Sequence, residues 1–278
     1  DAGNHRVIAE VDWDSAFTAV HTDAIYMMES QQYYVDKLDL ERKTAYVHKV
    51  EAEYYTDAMT YTNVRVIDAF AKKPGTEIFV EHGEVQVVSK VVGYKKIKFY
   101  TSENLGYGEV NLPEKDMHTT SYWFTIPRHH LAGLSYNQEE IIDGLAGLAY
   151  SLHHLAAMML MADLHDIDRA IGDKSGEWFV RKDRNSRTIT TTPGGEDGAV
   201  RTTDAFDPTI FLFDAYPGGI GFSDLLFERH DALLDSTRQL IRGCPCTCGC
   251  PSCVGPTLEV GPRAKEAALA ILGLLQRA

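Results

Sequence analysis

The chain has 278 residues, 44% hydrophobic and 24% charged, a composition that excludes disorder and allows one or two domains with their own cores. Its 40 acidic and 27 basic side chains give a formal net charge of −13, which excludes a surface attractive to polyanions everywhere, so any nucleic-acid contact must be local. The richest apolar run, Leu155 to Ala162, falls far short of the roughly 20 residues of a membrane-spanning helix, so no membrane contact is expected.

From Ala9 to about Pro127 the pattern is short and β-like. Strands are predicted at 24–28, 32–38, 44–50, 63–67 and 84–92, where β-branched and aromatic residues sit between turn signals. Their close spacing predicts a small barrel or curled antiparallel sheet over residues 1–130. Lys90, Lys95, Lys96 and Lys98, interleaved with Tyr94, Phe99 and Tyr100, form the densest basic and aromatic stretch. Such a stretch can pair phosphates and stack bases of single-stranded DNA. On an alternating strand the same residues also read as a solvated lysine face with aromatics turned to the core.

Residues 131–278 change period and predict an α-rich module, making the fold class α+β. Asn137 and Glu140 form a capping box, with Tyr136 and Ile141 as its hydrophobic staple. The helix it opens repeats Ile141, Leu145, Leu148, Leu152, Leu155 and Met159 at threes and fours. Periodicity is lost near 181–204, which predicts a mobile loop or a poorly packed hairpin carrying Arg181, Lys182, Arg184 and Arg187. Then follow an apolar strand up to Asp214, the turn Tyr216-Pro-Gly-Gly-Ile-Gly221, a helix from Ser223 to Ile241, and a last helix from Pro262. The glycine turn between strand and helix either meets the positive-φ demands of a sharp bend or, through Gly218 and Gly219, offers backbone N–H groups to a DNA phosphate. Asp214 is placed to orient or cap this turn.

All five cysteines lie within ten residues: Cys244, Cys246, Cys248, Cys250 and Cys253. Neighbours one residue apart rarely satisfy disulfide geometry, and an odd count leaves one thiol over. Four thiolates converging at about 2.3 Å on a tetrahedral zinc ion need no such pairing, and Pro245, Gly249 and Pro251 supply the turns. The reading is a closed structural zinc site, with an iron–sulfur cluster or a redox cluster as alternatives. Thiolates reserved for metal, and the lack of a secretory leader behind Asp1, predict a reducing, cytoplasmic location. The absence of an initiator Met and the helical ending suggest a portion excised from a longer polypeptide.

Three segments together resemble the C-terminal region of superfamily-2 helicases with a tetracysteine zinc-binding domain, the mitomycin repair factor A-like helicases. They are Gly93-Tyr-Lys-Lys-Ile97 with Leu105-Gly-Tyr-Gly108, Asp214-Ala-Tyr-Pro-Gly-Gly-Ile-Gly-Phe222, and the cysteine run. The resemblance implies zinc ligands at Cys244, Cys246, Cys250 and Cys253, with Cys248 departing from the pattern. The residues alone leave the set Cys246 to Cys253 open. It also implies a parent that couples ATP hydrolysis to movement along single-stranded DNA, often in repair, with the motor domains of the same polypeptide as partners. No phosphate loop with Gly-Lys-Ser/Thr occurs in this sequence, and Gly172-Asp-Lys-Ser175 lacks the glycines such a loop requires. The chain is therefore expected to be a non-catalytic accessory region. Two other functions stay open: a protein-interaction module that never touches DNA, and a metal-dependent phosphohydrolase built on His153, His154, His165 and Asp166, for which the ligand set is incomplete.

Overall fold

In the computed structural model the described residues are 1–3, 6–74, 78–176, 179–182, 187–190 and 207–275. They form two compact units, each discontinuous in sequence: 1–61 with 89–115, and 62–88 with 116–278.

In the first unit helix α1 (Trp13–Ala19) precedes a three-stranded antiparallel sheet of β1 (Ile25–Met28), β2 (Gln31–Asp39) and β3 (Thr44–Val50), in that order. The β1–β2 hairpin turns through only Glu29 and Ser30, with φ of 50° and 66°. Two successive left-handed residues match the twist of the flanking strands, and the turn is made here without glycine. Phe17, Ala24, Tyr33, Val35, Val47, Val91 and Leu112 are buried together as this unit's core.

Two long strands, β4 (Tyr54–Lys72) and β5 (Phe79–Lys98), divide their residues between the units. The end of β5 pairs with β6 (Asn104–Glu109), placing Tyr94 opposite Gly108. A Cβ at 108 would lie 2.2 Å from the Tyr94 ring, so the ring's position requires glycine there.

The second unit is built on an open sheet. To β4 and β5 it adds β7 (Lys115–Thr125), β8 (Ile167–Gly172), β9 (Phe179–Lys182), β10 (Arg187–Thr190) and β11 (Thr209–Asp214), in the order β10-β9-β8-β11-β7-β5-β4. Among the described strands this sheet has free ends at β10 and β4, so it is not a closed barrel. Of the segment 181–204, β9 and β10 form an antiparallel hairpin, while 183–186 and 191–204 lie outside the described residues.

Strand β11 pairs antiparallel with β7 and with β8, and all six of its residues are buried. Alternation then sorts the large side chains. Tyr122, Phe124, Ile210 and Leu212 join the helical core, whereas Trp123, Phe211 and Phe213 pack with Val64, Val85 and Val87 in a separate cluster. A strand covered on both faces reads as a continuous apolar run, as 210–213 does.

Helix α2 (Arg128–Leu131) leads to α3 (Gln138–Leu160), which opens on the capping box: Asn137 Oδ1 accepts from the Glu140 N–H, and Glu140 Oε2 from the Asn137 N–H, both at 2.9 Å. Ile141, Leu145, Leu148, Leu152 and Leu155 are buried, each such side chain contributing about 1.5–3 kcal/mol. The expected single helix over 223–241 is two, α4 (Phe222–Glu228) and α5 (His230–Gly243), broken at Arg229 (φ −92°, ψ 15°). The break turns His230 inward, where its Nδ1 lies 2.5 Å from Tyr122 Oη and its ring packs against Phe124. A short α6 (Thr257–Val260) is followed by α7 (Ala264–Leu275), two residues later than the Pro262 start expected. Helix α7 lies so close to α3 that a Cβ at Gly144 would come within 2.6 Å of Ala267 Cβ.

Burial lowers the His230 imidazole to about 4, and burial likewise lowers His21, His82 and His153. In the unfolded chain a histidine takes up its proton near 6.5. The unfolded state thus binds more protons than the folded one between pH 6.5 and 4, and stability falls as pH falls through that window. For His230 alone the loss is at most about 3 kcal/mol. Thermal melts should show a falling Tm from pH 7 to pH 5, and a smaller fall in His230→Gln.

Candidate metal centre

Helix α5 ends at Gly243, and the Cys244 N–H still donates to Leu240 O at 3.2 Å, so the helix terminus itself delivers the first cysteine. A tight turn delivers the others. The N–H groups of Cys253 and Gly255 both donate to Cys250 O, at 2.9 and 3.0 Å. Gly249 holds φ of +123°, and a Cβ there would lie 2.6 Å from Val254 Cγ2, so the close wrap needs glycine. Helix α3 anchors the segment: Tyr150 Oη donates to Pro251 O at 2.8 Å, and Ser151 Oγ lies 2.9 Å from Cys253 O.

The Sγ atoms of Cys244, Cys246, Cys250 and Cys253 all lie within 4.8 Å of one another. Four of the separations are 3.5, 3.5, 3.5 and 3.7 Å: Cys244–Cys246, Cys244–Cys250, Cys246–Cys253 and Cys250–Cys253. A tetrahedron of sulfurs about 2.3 Å from a zinc ion has edges of about 3.8 Å, whereas a disulfide requires about 2.05 Å. The donors therefore fit structural zinc and do not fit disulfides. Cys248 stands apart, exposed, with its Sγ beside Thr247 Oγ1 at 3.5 Å. Burial pushes the Cys253 thiol up to about 12; a divalent cation among the sulfurs supplies the positive field that deprotonates such a thiol. Four such ligands would leave a zinc ion no open coordination position, which is the arrangement of a structural site.

Sequence reasoning missed Lys265, which is 9% exposed at the start of α7. Its Nζ donates to Cys244 O at 2.7 Å and Cys246 O at 2.5 Å, and lies 3.6 Å from Cys246 Sγ. The available signal was a lysine in the first turn of the last helix, where the positive helix end disfavours a cation.

The Gly-rich turn is organised from within. Asp214 is 1% exposed; its Oδ2 accepts from the N–H groups of Ile220 (2.6 Å), Gly221 (2.9 Å) and Phe222 (3.2 Å), and its Oδ1 from Ser223 at 3.0 Å. Gly218 N–H donates to His118 O and Gly219 N–H to Tyr216 O. Every N–H from 218 to 223 is thus engaged, and the Asp214 carboxylate sits where a phosphate would. Gly218, Gly219 and Gly221 have φ of 79°, 74° and 92°, and a Cβ at 219 would meet Thr120 Oγ1 at 2.1 Å, so the glycines serve the turn itself.

The basic stretch is only partly free. Tyr94 is 4% exposed and stacks on His21 with ring centroids 4.9 Å apart, which makes it a core side chain with no face for a base. Lys90 lies 3.7 Å from Glu114 and Lys95 3.8 Å from Asp57. Lys96 Nζ stands 5.4 Å from the centroid of the Tyr54 ring, and Lys98 makes no ion pair among the described residues.

The histidines do not converge. His153 Nε2 lies 2.7 Å from Ile167 O, leaving Nδ1 to accept from Arg169 Nη1 at 2.5 Å; His154 Nδ1 faces Tyr150 O; and His165 bonds Asp163 in the open. Among the described residues the cysteines are the one His/Cys/Asp/Glu group arranged for a metal. The phosphohydrolase reading therefore lacks its centre.

A closed tetrathiolate zinc site anchored on a long helix defines the class, a zinc-binding domain. Residues 148–254 of this chain match the family described as MrfA Zn-binding domain. The chain is homologous to ATP-dependent helicases. It is 35% identical over 272 residues to the "uncharacterized ATP-dependent helicase YprA" of Bacillus subtilis (strain 168), covering 98% of this chain and 32% of YprA. With the ATP-dependent helicase HRQ1 of Saccharomyces cerevisiae it shares 19% identity over 256 residues, 91% of this chain and 22% of HRQ1. A solved structure, "Crystal Structure of DUF1998 helicase MrfA bound to DNA", matches with a TM-score of 0.61 at 35% identity over 99% of this chain and 32% of that one. The chain thus spans about a third or less of the length of these relatives. No described helix is long and apolar enough to cross a membrane.

Proposed function

We propose that this chain is the zinc-ordered accessory region of an ATP-dependent DNA helicase, without ATP hydrolysis of its own, and that it supports the motor domains of the same polypeptide and guides single-stranded DNA during repair. The observation that carries the reading is the convergence of Cys244, Cys246, Cys250 and Cys253, the proposed zinc ligands, inside a segment matching the MrfA Zn-binding domain. The DNA-bound MrfA structure supports the nucleic-acid part. In this reading residues 131–278 are the zinc-ordered scaffold, and residues 1–130 carry the strand-rich surface that meets the DNA. Lys96 and Lys98, which have no carboxylate partner among the described residues, take the phosphate contacts, with Lys90 and Lys95 contributing where their acidic partners yield.

Binding of a fluorescent single-stranded oligonucleotide tests this. The affinity should fall steeply between 50 and 200 mM salt, because each neutralised phosphate releases counterions. Lys96→Glu/Lys98→Glu should weaken binding and flatten the salt slope by about one to two. No binding at low salt, with partner recruitment intact, leaves the interaction module as the reading.

A further inference from the structure

We infer that Lys265 is the fixed counter-charge of the zinc–thiolate centre, a positioning residue that holds the Cys244–Cys246 backbone against α7 and shields the Cys246 sulfur. The inference rests on the zinc reading above and adds a member to the site from outside the cysteine segment.

A lysine at this place needs an explanation. It is 9% exposed, and a buried ammonium is costly unless it is paired. It also lies in the first turn of α7, where the positive end of the helix disfavours a cation. Among the described residues no carboxylate pairs with it. Glu266, the next residue, accepts from Arg263 at 3.0 Å, and Glu140 on α3 accepts from the same Arg263 at 2.6 Å. The Lys265 ammonium instead directs its N–H bonds to Cys244 O and Cys246 O and rests 3.6 Å from Cys246 Sγ.

Four thiolates around a doubly charged zinc ion leave a net charge of −2. Lys265 offsets half of it at a fixed point, and does so with hydrogen bonds to the two residues that begin the ligand run. Outer partners of this kind orient ligands and tune the metal, and their loss typically costs 10–100-fold in affinity. The sulfur closest to the ammonium, Cys246, becomes the weakest electron donor of the four.

The test uses the zinc-loaded 278-residue chain as wild type, Lys265→Met and Lys265→Arg. Zinc transfer to a chromophoric chelator is followed in time, and the sulfur-to-metal charge-transfer band is recorded after cobalt substitution. Lys265→Met should release zinc about 10–100-fold faster. Its cobalt band should move to longer wavelength, because the thiolates become better donors, and Lys265→Arg should restore most of both. Release at the wild-type rate overturns the inference. So does faster release with an unmoved band and no rescue by arginine, which would make the lysine a packing residue only. A wild-type chain that takes up much less than one zinc before the chelator is added would overturn the zinc reading itself. If Lys265→Met does not fold, the wild-type chain decides by 15N-edited NMR. The Lys265 ammonium, assigned by its absence in Lys265→Arg, should exchange slowly with water and shift when cadmium replaces zinc; exchange as fast as that of surface lysines overturns the inference.

Discussion

Cys253→Ala is expected to abolish stoichiometric zinc binding and to unfold the segment between α5 and α7. The Cys253 side chain is 1% exposed and its neighbour Val254 is fully buried in the helical core with Leu148, Leu152 and Ala264, so the metal segment and the core share side chains. Residues 244–256 are rich in Gly, Pro and Cys and bury too little apolar surface to order themselves; metal binding supplies the difference, on the order of 10 kcal/mol for a structural zinc. Loss of one ligand opens the coordination shell and forfeits most of it. Metal analysis should give well under one zinc per chain, and the thermal transition should drop or broaden as the end of α5 and the start of α7 lose their tie. Cys248→Ala should retain both metal and Tm, since that thiol is exposed and outside the cluster. Equal losses in the two variants would point to a ligand set that includes Cys248.

Asp214→Ala should destabilise the chain by about 3–5 kcal/mol, the cost of leaving buried partners of a charged group unpaired. Four backbone N–H groups lose their acceptor at once, and Thr120 Oγ1, 3.3 Å from Oδ2, loses another. The unfilled N-terminus of α4 would also lose the negative charge that stabilises it. Asp214→Asn should cost less, because its amide oxygen still accepts while its NH2 opposes one N–H. Chemical denaturation curves of the three chains check the order. The result bears on the glycine turn as well: a turn kept for binding phosphate through free N–H groups would bind an anion in Asp214→Ala more tightly than in wild type, while a purely structural turn would simply loosen.

Some of this was legible in local pattern. The capping box at Asn137 and Glu140, the apolar stripe of α3 and the alternation in β1–β3 depend on residues within a few positions of one another, and local energetics fix them. The β5 stretch was read less well. Its spacing announces lysines and aromatics, but whether Tyr94 faces a base or a core depends on His21, more than seventy residues earlier, and on the glycine opposite it at 108. The break at Arg229 was hidden for the same reason, since the helical pattern runs through it and the inward turn answers to Tyr122 and Phe124 on β7.

The sequence by itself determined that this chain binds metal through thiolates: five cysteines in ten residues with glycine and proline between them allow little else, because metal ligation asks only that sulfurs be brought near one another by short turns. Which four converge, and what balances their charge, only the tertiary structure decided. Cys253 is drawn in by its burial against α3, Cys248 is left on the outside of the turn, and Lys265 arrives from a helix that packs there through Gly144 and Ala267. Spacing along the chain sets what a short segment can reach, but the direction in which each side chain points is set by the core that the segment must cover.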